Sequence, residues 1–150
     1  MSLEQKVMAD LKTAMRAKDE KSLRSLRAIK AAIIVAKTAE GAGGNIKDED
    51  EIKLLQKLVK QRKDSLEIYD KQNRADLAEK EREEITVIEK YLPAQVGEKE
   101  LKEIIKKIIA ETGAASPADM GKVMGAANKQ LAGKADGKTI AGIVKELLNS

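Results

Sequence analysis

Residues Leu92–Glu100 read LPAQVGEKE, and this stretch decides how the rest of the chain is divided. Pro93 pushes Leu92 out of helical backbone space, and Gly97 is free to begin a new element. Apolar residues recur at helical period on both sides of it. Upstream, Ser2 and Gln5 form a capping box for a helix striped by Leu3, Val7, Leu11 and Met15. Asp19 caps a second helix carrying Leu23, Leu26, Ile29, Ile33 and Ile34, which Gly41, Gly43 and Gly44 end. Asp48 with Glu51 caps a long third helix through Ile52, Leu55, Val59, Leu66 and Tyr69, its stripe interrupted by Arg62. Asn73 opens a fourth through Leu77, Ile85 and Ile88, stopped at Pro93.

Three shorter helices follow the boundary. Leu101, Ile104, Ile105, Ile108 and Ile109 stripe the first, which ends at Gly113. The second opens on SPAD, with Ser116 as N-cap and Pro117 as the first helical residue. The third starts near Asp136 and buries Ile140, Ile143, Val144 and Leu147. No alternation of period two appears. The expected fold is all-α: an N-terminal helical hairpin or bundle domain over 1–92, a linker at 93–97, and a compact C-terminal three-helix tail domain over 98–150.

Composition excludes much chemistry. The 150 residues contain no Cys, His, Trp or Phe, and the aromatic residues are Tyr69 and Tyr91. Thiolate nucleophiles, imidazole bases, His/Cys zinc sites and disulfides are therefore ruled out, and with two tyrosines a platform of stacked aromatics for single strands is not expected. No catalytic residue, metal or cofactor is expected. The formal net charge is +4 with 36% charged residues, so nucleic-acid binding would need a local patch. The first 21 residues interleave charges from Glu4 onward and do not read as a signal peptide; no apolar run reaches membrane-span length. The expectation is a cytoplasmic protein with no membrane partner.

Two segments carry a resemblance. VKQRKDSLEIYDKQNRADLAEKEREEITVIEKYLP, from Val59 to Pro93, and DMGKVMGAANKQLAGKADGKTI, from Asp119 to Ile140, closely resemble the YqeY family. That family resembles the C-terminal helical and tail region of GatB, the B subunit of the glutamine-dependent aminoacyl-tRNA amidotransferase. The likeness covers essentially the whole chain. It implies a tRNA-contacting accessory region without the catalytic cradle, and the label of carbon–nitrogen ligase with glutamine as amido-N-donor only by association. The implied partners are tRNA and the amidotransferase or aminoacyl-tRNA machinery. Amidotransferase tails commonly place a lysine after GKVM, whereas here Gly125 follows, so that contact does not carry over.

Within the second segment, glycine inside a helix costs roughly 1 kcal/mol relative to alanine, so its glycines need a reason. Over 118–131, Met120, Met124, Ala127 and Leu131 trace the buried stripe, with Val123 beside it. Lys122 and Lys129 stand opposite, seven residues apart. Lys138 and Lys145 repeat that spacing in the last helix, and Lys134 lies on the turn between. Gly121 and Gly125 are one turn apart, with Asn128 on the same flank. In light of the resemblance this reads as a tRNA contact: lysines on phosphates, glycines for close approach, Asn128 for a 2′-OH or base edge. The helix starts behind Ser116 and Asp136 would add free N–H groups. The plainer reading is helix–helix packing at the glycines and a solvated lysine face.

Arg62 and Arg74 are read as ion pairs with Asp64, Asp70 or Asp76, or else as an anion site. EKEREE, Glu79–Glu84, reads as a solvated helical face. The leading expectation is a non-catalytic tRNA-binding or amidotransferase-associated accessory protein. The alternatives are a ligase component active only with partner subunits and a helical protein–protein adaptor.

Overall fold

The computed structural model describes residues 2–149. Among them are seven α-helices and one 3-10 turn, with no strand. The chain divides into two compact units, Met1–Leu92 and Pro93–Ser150.

The first unit contains α1 (Leu3–Ala17), α2 (Glu20–Thr38), α3 (Asp48–Lys71) and α4 (Ala75–Glu89). The capping box starts α1: the Gln5 N–H donates to Ser2 Oγ at 3.2 Å and the Ser2 N–H to Gln5 Oε1 at 3.0 Å. Lys18, left-handed at φ 55°, turns the chain into α2. There Asp19 accepts from the Ser22 N–H at 3.2 Å and its hydroxyl at 2.6 Å. Leu3, Val7, Leu26, Ile29, Leu55 and Ile88 lie at the centre of the core. Burying such a side chain stabilises by about 1.5–3 kcal/mol.

Several expected details shift. Met15 and Ile34 stand 57% and 48% exposed, outside the core. Repeated steps of four residues advance 400° against a full turn, so a stripe written i, i+4, i+8 drifts off its face, and Ala14 is buried where Met15 was expected. Asp48 does not cap α3; Lys47 holds that position with no side-chain bond, and Asp48, Glu49, Asp50 and Glu51 occupy the first turn. That placement still suits the positive end of the helix dipole. Asn73 takes a left-handed φ of 56°, and α4 begins behind Arg74.

The second unit contains α5 (Glu98–Thr112), a 3-10 turn (Pro117–Asp119), α6 (Met120–Gln130) and α7 (Gly137–Leu148). Leu101, Ile105, Val123, Ala127, Ile140 and Val144 are each at most 1% exposed. Gly113 ends α5 at φ 69°, a left-handed geometry that glycine adopts without a Cβ clash. Val123 and Ala127 centre the buried face of α6, while Met120 and Met124 lie at its margin. In α7, Leu148 is buried and Leu147 only half-buried. The Pro93–Gly97 stretch is tied down: Val96 packs against this core, and its N–H donates to the Lys134 carbonyl at 2.9 Å. No described helix is long and apolar enough to cross a membrane.

Candidate nucleic-acid interface

The helical turn of α6 sets its two faces. With Val123 and Ala127 facing inward, Gly121, Lys122, Gly125, Asn128 and Lys129 all fall on the outward side, and all are exposed. A Cβ built at Gly121 or Gly125 would meet nothing within 4 Å. Helix packing within the second unit therefore does not account for these glycines. On α7, Ile140, Ile143 and Val144 face inward, leaving Lys138 and Lys145 exposed. Gly142 lies between them on the same open side, and a Cβ there would also meet nothing within 4 Å. Sequence reasoning passed over Gly142. Its signal was the spacing Lys-x3-Gly-x2-Lys, the reverse of the Lys-x2-Gly-x3-Lys formed by Lys122, Gly125 and Lys129.

Lys134 is exposed on the turn joining α6 to α7, next to buried Gly133 at φ 75°. Among the described residues, none of Lys122, Lys129, Lys134, Lys138 and Lys145 closes an ion pair. Glu146, beside Lys145, pairs instead with Lys102 of α5 at 3.8 Å.

The helix starts do not offer the free donors expected of them. Asp136 accepts from the Thr139 N–H at 2.8 Å and from its hydroxyl at 2.9 Å, placing a carboxylate at the start of α7. Behind Ser116 lies only the three-residue 3-10 turn, with no side-chain cap bond from Ser116. Asp119 instead accepts from the Ala115 N–H at 3.0 Å; this bond chiefly, helped by others including the field of Lys122, holds its carboxyl below the usual range. A phosphate would meet negative charge at both places.

Arg62 belongs to the first unit. Its Nε donates to Glu84 Oε2 at 3.0 Å, from α3 to α4, and a second guanidinium nitrogen donates to the Leu58 carbonyl at 3.1 Å. The partner is Glu84, not Asp64, Asp70 or Asp76. Arg24 of α2 donates to Glu83 at 3.0 Å and lies 3.4 Å from Glu84, and Lys21 lies 3.1 Å from Glu83. The EKEREE segment is thus not simply a solvated face, since the Glu83 and Glu84 side chains are only 18% and 17% exposed. Glu81 has one buried carboxylate oxygen without a hydrogen bond. Burial, then repulsion from Glu84, pushes its carboxyl up against the opposing pull of Arg62 and Arg24. Arg74 pairs locally with Asp76 at 3.3 Å on the surface.

These features define an all-helical protein of two units whose second unit bears an open lysine–glycine face. The sequence matches the family described as Yqey-like protein over residues 4–148, and the chain belongs to that family. It is 34% identical over 152 residues to a protein of Pyrenophora tritici-repentis named altered inheritance of mitochondria protein 41, mitochondrial, covering 97% of this chain and 80% of that one. A like-named protein of Lachancea thermotolerans is 43% identical over 86 residues, covering 55% of this chain and 44% of that one. The Kluyveromyces lactis counterpart is 34% identical over 141 residues, with 91% and 70% covered. The cytoplasmic expectation is overturned here, because these relatives are named as mitochondrial proteins. Interleaved charge near residue 4 argues against a secretory signal, but it does not separate cytoplasm from organelle.

Proposed function

We propose that the protein is a tRNA-binding accessory factor of the aminoacyl-tRNA or amidotransferase machinery, with the second unit as its RNA-contacting module and no chemistry of its own. One observation carries this reading: Gly121 and Gly125 stand in open space on the face that also presents Lys122, Asn128 and Lys129. Each glycine costs α6 about 1 kcal/mol of helix propensity, and no packing contact within the second unit offsets it. A sugar-phosphate backbone can approach such a face closely. Lysines would neutralise phosphates, and Asn128 would reach a 2′-OH or a base edge. The relatives' names make mitochondrial tRNA the first pool to test, beside bulk tRNA.

The test is fluorescence anisotropy of labelled tRNA against salt. Log affinity should fall linearly with log salt, by about 0.7–0.9 per phosphate contact. Replacing Lys122, Lys129, Lys134 and Lys138 together should remove most binding for every tRNA tried. Unchanged affinity in that variant would end the reading. A helical adaptor is the second reading, favoured by Ile34 and Val35 of α2, which are 48% and 68% exposed. A folded protein indifferent to RNA would support it.

A further inference from the structure

The segment that enters the second unit is bonded to the turn that carries Lys134. Gln95 Nε2 donates to the Gly133 carbonyl at 2.8 Å and to the Pro93 carbonyl at 2.9 Å. One residue on, the Val96 N–H donates to the Lys134 carbonyl at 2.9 Å. The turn itself is closed by a bond from the Lys134 N–H to the Leu131 carbonyl at 2.9 Å. Leu131 is buried and Ala135 packs against the core, so both ends of the turn are anchored while Lys134 between them is exposed. Gly133 holds the positive φ that lets the chain reverse there.

We propose that Gln95 is a positioning residue of the basic face: it holds the Gly133 carbonyl so that Lys134 is presented in one conformation. This rests on the RNA-binding reading above. A charge on a wandering turn must be ordered when the ligand binds, and that entropy is subtracted from the affinity. Gln95 is itself exposed, so its amide would be free to face water were it not engaged by two carbonyls of its own unit. An amide suits the task because it donates two hydrogens from one nitrogen. Glutamate has the same length and no hydrogen to donate, which makes Gln95→Glu the sharpest variant and Gln95→Ala its charge-neutral companion.

Two readouts on the full chain test this. Without RNA, amide hydrogen exchange at Val96 and Lys134 should quicken in both variants, while exchange within α5, α6 and α7 stays as in the wild type. With tRNA, Gln95→Ala should weaken binding roughly fivefold, the range of one hydrogen bond's net worth. Combined with Lys134→Ala, it should cost no more than Lys134→Ala alone. Unchanged exchange would overturn the clasp. Quickened exchange with fully additive affinity losses would overturn its action through Lys134. A wild type that binds no tRNA would overturn the binding reading and the positioning role with it, and the exchange result would identify that as the cause.

Discussion

Gly125 shows how much a single residue can discriminate. It lies in a helix with ordinary φ and open space at the Cβ position, so a side chain can start there without a clash at Cβ. Gly125→Leu should leave the melting temperature unchanged or raise it, by up to about 1 kcal/mol of helix propensity. It should also reduce tRNA affinity at least tenfold by blocking approach of the sugar-phosphate chain. A folded variant with wild-type affinity would show that nothing docks on this face. Glu81 offers a test of charge. Its folded-state carboxyl is raised by burial, so the native chain holds that proton more tightly than the unfolded chain does. Stability from this group is therefore present at low pH and falls as pH rises through the ordinary glutamate range and the raised value. Glu81→Gln should be more stable than wild type at neutral pH, and the difference should vanish in acid. Thermal melts at several pH values decide it; a destabilised Glu81→Gln at neutral pH would contradict the assignment.

At the scale of elements, Glu84 joins three helices, taking Arg62 from α3 and Arg24 from α2 onto α4. Removing it leaves the partly buried Arg62 guanidinium without its carboxylate, while Arg24 keeps Glu83. Glu84→Ala should cost about 2 kcal/mol, below the range for fully buried pairs because Arg24 is 38% exposed. Surface pairs such as Lys53 with Glu49, both well exposed at 3.8 Å, should be close to neutral when broken. On α6, the lysines face away from Val123 and Ala127. Lys122→Ala with Lys129→Ala should change stability by no more than about 0.5 kcal/mol. The same pair should flatten the salt slope of tRNA binding by roughly 1.5. Chemical denaturation and salt titration of one protein preparation measure both.

Across the whole molecule, the exposed Gly41, Gly43 and Gly44 loop is the place where cleavage should begin. All three glycines have positive φ, with no neighbouring atom near their Cβ positions. Pro93–Gly97 is a connector by composition, yet Gln95 and Val96 are bonded into the second unit, and Lys99 lies inside α5. A nonspecific protease in limiting amount should cut between residues 39 and 47 first and spare 93–99. Early cleavage at 93–99 would contradict the bonding of that stretch, and Gln95→Glu should bring such cleavage forward.

The helices and several of their ends were legible in the sequence because their causes are local. A backbone bond from i to i−4, a capping box at Ser2 and Gln5, an aspartate at 19 or 136, and a left-handed glycine at 113 all act within a few residues. The lysine–glycine face of α6 was legible for the same reason, since helical period alone separates Lys122 and Lys129 from Val123. Partnership across the fold was not. Arg24 finds Glu83 59 residues away, Arg62 finds Glu84 22 away, and Gln95 finds Gly133 38 away. A charged helical face looks alike in sequence whether water or two arginines cover it. Likewise, period alone could not say that Met15 and Ile34 would stay in water while Ala14 was buried. The neighbouring helix decides which edge of an apolar stripe is covered, and only tertiary packing places that neighbour.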